Sequence, residues 1–300
     1  MKKLSAPNYR RARDYLLTQA RPLERALFAH EFEAGPRDAV LEALAAYQNP
    51  DGGFGRALEP DVRLPASSGI ATLTGLDVLR EIDADADEPQ VRRALAWVVA
   101  AYDEDVPGWR SVPESVDDFA HAPHWSWAPH APGSAWPHIL IPGARLLSHL
   151  QHWRSLAPAA LLAGYTEAFR AHVETLAGPI GGDGLYYAST VDDPASRGKL
   201  CQLALDNVST NPAEWAEYVS KPLKLAPLPG CLFAEVLAGP VLANLDFEIE
   251  QQANDGAWEP NWSWRGAYAA EWEQALREWR GELTLKTLRS LRAYGRIEGL

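Results

Sequence analysis

Apolar residues return along this chain at three- and four-residue intervals, the period of a helix face. Val40, Leu41, Leu44 and Tyr47 make one such face. From Ser67 to Ile82 the apolar and small positions, Ile70, Ala71, Leu73, Leu76, Val78 and Leu79, cover most of the surface, which predicts a helix buried on nearly all sides. Ser67 and Ser68 suit its start, because a hydroxyl can accept from the unpaired N–H groups of a first turn. Residues 10–33 predict one or two amphipathic helices, with Pro22 in a first turn where a missing N–H costs little. Further helices are expected over 89–102, 143–156, 158–177, 198–207, 211–219, 229–238, 241–252 and 267–294, with Gly239-Pro240 separating two of them. No run of alternating β-branched residues marks a strand, so the expected class is all-α.

The punctuation between these helices repeats. Gln48-Asn-Pro-Asp51-Gly52-Gly53-Phe54 and Gln252-Ala-Asn-Asp255-Gly256-Ala257-Trp258 share the pattern Q-x-x-D-G-x-[FW], and each is followed by Glu-Pro, at Glu59-Pro60 and Glu259-Pro260. Asp-Gly supplies a turn in which glycine takes a positive φ, and an aromatic side chain packs over it. The glutamine amide is placed to bond backbone groups left unpaired at helix ends. Weaker Gly-aromatic turns are expected at Pro107-Gly108-Trp109 and at Gly181–Tyr187. The expectation for Gln48 and Gln252 is structural, and irregular spacing between the turns implies insertions in the repeating unit.

These two segments resemble the QW-type repeats of the terpenoid cyclase and protein prenyltransferase superfamily. The resemblance implies an α/α toroid of about six helical hairpins, inner helices ringed by outer ones around a central cavity. Residues 37–300 would form the toroid and 1–36 a helical extension packed on it. The family's catalytic signatures differ from this chain. There is no D-x-D-D acid; the nearest strings are Asp83-Ala-Asp85-Ala-Asp87 and Asp117-Asp118. Cys201 has no downstream histidine with which to complete a prenyltransferase zinc site, since the last is His172.

Charge narrows the partners. A formal net charge of −12 argues against nonspecific nucleic-acid binding and against anionic membrane surfaces. Cys201 and Cys231 lack C-x-x-C spacing, so neither a disulfide framework nor a zinc ribbon is expected. The start has no apolar segment of signal-peptide type and the chain no span of transmembrane length, which points to the cytoplasm.

In a toroid the loops 48–66, 103–133, 178–197 and 253–266 would gather at one mouth. The richest is Asp117-Asp118-Phe-Ala-His121-Ala-Pro-His124-Trp125-Ser-Trp127, where a carboxylate can orient an imidazole as an acid–base pair. Asp117, Asp118, His121 and His124 are therefore the catalytic candidates. Trp125, Trp127, Tyr186, Tyr187, Trp258, Trp262, Glu59 and Asp61 are the candidates for binding substrate. The same loop read as a metal site would offer oxygen and nitrogen ligands, but its spacing matches no standard signature, and no cofactor is expected. His138, His149 and His152 lie among aliphatics and read as packing residues. The leading functional expectation is acid–base chemistry on an apolar, isoprenoid-like small molecule. The alternatives are a carbohydrate-active hydrolase or lyase, for which carboxylate pairs with Trp platforms are suited, and a noncatalytic ligand-binding toroid.

Overall fold

A computed structural model describes residues 1–104, 108–128 and 139–300. Among these residues the chain is all-α: it forms twelve α-helices and no strand, only isolated bridges. They are α1 (Ala6–Gln19), α2 (Pro22–Glu33), α3 (Arg37–Ala45), α4 (Gly69–Glu81), α5 (Pro89–Ala100), α6 (Arg145–His152), α7 (Ala159–Thr175), α8 (Gly182–Ser189), α9 (Arg197–Asn207), α10 (Pro222–Leu225), α11 (Ala238–Glu250) and α12 (Ala269–Ala293). Pro107 of the second expected turn, and His138, lie outside the described residues.

Local rules account for many of the boundaries. Ser5 Oγ accepts from Asn8 N at the start of α1, and Ser68 Oγ from Ala71 N at the start of α4. Pro22 and Pro89 open α2 and α5. Helix α4 is buried around most of its surface, as its composition implies.

Four expectations change. Gly181–Tyr187 is not a turn: Gly182–Ser189 is helix α8, and its glycines permit close packing. A Cβ at Gly182 would meet Ser220 Oγ at 3.0 Å, and one at Gly184 would meet Leu140 at 3.3 Å. Pro240 does not divide two helices but sits in the first turn of α11. Only Pro212–Glu214 of 211–219 is helical, a short 3-10 turn, because Asn211 and Glu214 bond local groups (Ala213 N and Ser209 Oγ) instead. Pro227, Pro229 and Gly230 lead 229–238 into successive turns rather than a helix.

The two repeated turns are the same object built twice. Gln48 Nε2 donates to Gly52 O at 2.9 Å, and Gln252 Nε2 to Gly256 O at 2.9 Å. Each amide also reaches a neighbouring helix: Gln48 bonds Gln90 O in α5 and Gln252 bonds Asn8 O in α1, both at 3.0 Å. Phe54 N donates to Thr72 Oγ1 in α4, and Trp258 N to Thr284 Oγ1 in α12, both at 3.0 Å. Gly52 (φ +97°) and Gly256 (φ +100°) press on the backbones of Arg93 and Arg11, where an added Cβ would sit 2.4 Å from the nearest atom. Helices α3, α4 and α5 thus stand to the first turn as α11, α12 and α1 stand to the second.

The chain ends meet. Leu4 N donates to Arg296 O at 2.8 Å, Glu298 N to Leu4 O at 3.0 Å, and α12 packs on α1 and α2. Buried Arg296 donates to Lys2 O and to Asp246.

Candidate functional site

Beyond the first turn, the chain runs inward through residues 59–64. Arg21 anchors this segment, donating to Ala57 O and Leu58 O at 3.1 Å each while forking onto Glu24. Val62 bridges His121, with Arg63 N to Ala120 O at 2.9 Å and Ala122 N to Asp61 O at 2.8 Å. That pairing lays the 117–127 loop against Asp61. The Asp61 side chain is buried, and its Oδ1 accepts from Trp264 Nε1 and Trp279 Nε1, both at 2.7 Å. The Trp262 ring stands edge-on to Trp279 at 5.1 Å. Burial pushes the Asp61 carboxyl up; the indole hydrogen bonds and nearby His124 oppose the rise without cancelling it. Neutral indoles satisfy lone pairs but bring no compensating charge.

Glu59 lies two residues away and is raised well above the usual carboxylate range. Burial is the main cause, with Glu282 and Asp61 adding repulsion against the weaker pull of Lys286 and Arg21. Lys286 itself bonds Glu282 at 2.7 Å. Arg63 forks onto Glu278 at 2.5 and 3.1 Å.

A second carboxylate, Asp77 on α4, has charged company. Its Oδ1 accepts from Arg145 Nε at 2.6 Å and from His149 Nε2 at 3.0 Å, both from α6. Burial works against its charge, but Arg145 and His149 prevail and hold it well below the usual value. Burial depresses His149 to about 4, so the ring is neutral at pH 7 and donates through Nε2. Arg145 lies 5.8 Å from the centre of the Tyr186 ring, and Arg80 donates to Ser148 Oγ at 2.9 Å. Burial raises the Tyr187 hydroxyl well above its ordinary value, with Asp77, Asp183 and Glu59 contributing.

The side chains of Glu81 and Lys286 keep 38% and 57% of their accessibility. Both are nevertheless desolvated by surrounding protein. The groove of about 410 Å³ beside Asp83, Asp85, His152 and Trp153 is separate, and none of these carboxylates lines it.

The residues expected from sequence fall into three groups. Asp61, Glu59, Tyr186, Tyr187 and Trp262 lie among these carboxylates and their partners. Asp117 and His121 pair up, but mainly to hold their own loop: His121 Nδ1 donates to Phe119 O at 2.7 Å and Nε2 meets Ser126 Oγ at 3.0 Å. Asp117 Oδ1 lies 3.5 Å from His121 and accepts from Trp127 N at 3.1 Å. Asp118 and His124 are exposed at the surface of that loop, although burial depresses His124 and Asp61 pulls it up. Trp125 and Trp127 pack on Val62, Leu64 and Val116. Trp258 is buried in the second turn with Nε1 on Glu248 O at 2.7 Å, so it acts as a fastener.

Asp77, Arg80, Arg145, His149, Trp279, Glu282 and Lys286 join these groups without being among the residues expected from sequence. Their signal is helical spacing. Asp77-x-x-Arg80-Glu81 and Arg145-x-x-Ser148-His149 each place polar groups on one face of an otherwise apolar helix. Among the described residues no group of three or more His, Cys, Asp and Glu is arranged to hold a metal ion, and no helix is long and apolar enough to cross a membrane. No family model matches the chain, and no curated protein matches it.

Proposed function

We propose that the chain is a closed ring of helical hairpins, similar to the terpenoid cyclase toroids. Its interior binds a polar, hydroxyl-bearing small molecule and acts on it by acid–base chemistry. Ring closure is supported by the repeated fastener: α1 meets the second turn as α5 meets the first, so the start of the chain takes the place that follows its end. On this reading α1 is part of the ring.

The observation that carries the functional reading is the cluster of ionisable groups Glu59, Glu81, Tyr187 and Lys286, each keeping some access to solvent and each perturbed by burial. Ionised groups are costly to enclose, and pKa values perturbed in a cleft mark sites of chemistry. An isoprenoid would be held by an apolar, aromatic wall. A carbohydrate-like molecule suits carboxyl groups beside tryptophans. Glu59 holds its proton to higher pH and serves as the general acid; Asp61 next to it helps keep that proton in place by repulsion.

Native mass spectrometry of the protein from cell extract would identify the molecule it retains. On that molecule Glu59→Gln is expected to lower turnover by about 10² or more with the fold intact. Wild-type turnover in both Glu59→Gln and Asp61→Asn would rule the reading out.

A further inference from the structure

We propose that Arg80 and Arg145 form an anion-binding end of this interior, recognising a carboxylate or phosphate group on the small molecule; this rests on the functional reading above.

Asp77 and Arg80 lie three residues apart on α4, and Arg145, Ser148 and His149 occupy one face of α6. The two helices pack together, so these side chains converge. Two guanidiniums then share one nearby carboxylate, Asp77, because His149 is neutral. The other acid in the neighbourhood, Glu81, is engaged by Arg289 at 2.9 Å, and Arg289 also holds Glu31. Arg292 also pairs with Glu31 at 3.7 Å, so these acids are balanced, and Arg80 and Arg145 face Asp77 as two positive charges to one negative in a molecule whose net charge is −12.

The donors are also incompletely used. Arg145 commits Nε to Asp77, and Arg80 commits one terminal nitrogen to Ser148. Their remaining guanidinium N–H groups make no hydrogen bond to the described residues, and none of these nitrogens is sealed away from solvent. Arg145 keeps 12% of its side-chain accessibility. Guanidinium forks match the oxygen pairs of carboxylates and phosphates. Ser148 in turn donates to Thr190 O at 2.7 Å, so the Arg80 anchor is itself held.

Position links this end to the proposed acid. Arg145 lies against Tyr186, and the adjacent Tyr187 is close enough to feel both Asp77 and Glu59. A molecule held by its anionic group at Arg80 and Arg145 would extend past Tyr187 towards Glu59.

The test is binding at constant ionic strength, read as the ligand-concentration dependence of the unfolding midpoint. The probes are inorganic phosphate, glucuronate and, as the uncharged control, glucose. Wild-type protein is expected to bind phosphate, glucuronate or both more tightly than glucose, and the one that binds identifies the group. Arg80→Gln is expected to weaken that binding at least about tenfold, and Arg92→Gln, at an exposed ion pair, to leave it unchanged. If Arg80→Gln does not recover the wild-type helical spectrum, Arg80→Lys, which keeps the charge but loses the fork, is read instead and is expected to weaken binding severalfold. No binding of either anion, or equal binding by wild type and the Arg80 variant, overturns the proposal. Glu59→Gln separates the two readings: it is expected to stop turnover while retaining anion affinity. Anion binding with Glu59 dispensable for turnover would leave this site standing and remove the proposed acid.

Discussion

Asp61 and Asp77 are carboxylates drawn inside the same helical molecule by partners of opposite kind. Asp61 is held by neutral indole N–H groups from Trp264 and Trp279; Asp77 by the guanidinium of Arg145 and the imidazole of His149. Burial pushes both towards the protonated form. It wins at Asp61, where the partners carry no charge, and loses at Asp77, where one of them does. Hydrogen bonds alone do not fix the protonation state of an enclosed acid; the charge of the donor does. One molecule thereby holds a fixed anion that organises cations and, beside Glu59, an acid that keeps its proton more readily.

The largest expected difference is in stability. Asp77→Asn leaves Arg145 enclosed without its counter-charge and is expected to cost about 3–5 kcal/mol, measured by urea unfolding. Asp61→Asn keeps an acceptor for the indoles and is expected to cost less, about 1–3 kcal/mol. Equal losses in the two variants would erase the distinction between a charged and a neutral clamp.

The pH dependence of those losses sharpens the comparison. The Asp61 carboxyl is raised in the folded protein, so its contribution to stability is full below the ordinary carboxylate value and fades as pH rises through the folded one. The deficit of Asp61→Asn should therefore shrink as pH rises above the ordinary carboxylate range. Asp77 is depressed, so its contribution is present above the ordinary value and disappears as pH falls towards the folded one. The deficit of Asp77→Asn should stay flat from about pH 5 to pH 7 and shrink only in stronger acid. Unfolding curves at a series of pH values check both signs. The smallest effect is expected from Trp279→Phe, which removes one of the indole donors: about 0.5–1.5 kcal/mol, with the Asp61 carboxyl moving higher still.

The two centres were unequally legible in the sequence. The 48–54 and 252–258 turns are legible because their hydrogen bonds, from the Gln amide to the Gly carbonyl and from the next-but-one N–H to the Asp carboxylate, are local, and because they occur twice. Glu59 and Asp61 were found through their place after that repeat. Their clamp was not: Trp279 reaches Asp61 across 218 positions, and no local pattern encodes that meeting. The Asp77 centre joins residues 68 and 72 positions apart, and each half reads alone as a polar stripe on an apolar helix. The histidines of 121–124 drew attention by their chemistry, yet His121 has both ring nitrogens occupied by its own loop. Gly181–Tyr187 reads in sequence as a Gly-aromatic turn, yet in α8 the glycines permit close packing, an effect of tertiary context.

The most direct test is a carboxyl-carbon NMR titration of protein labelled at Asp and Glu, assigned with the Asp61→Asn, Glu59→Gln and Asp77→Asn variants. The account expects Asp61 and Glu59 to titrate above their ordinary values of 3.8 and 4.5, and Asp77 below 3.8. Asp61 and Glu59 titrating at or below those values, alongside Asp77, would contradict it.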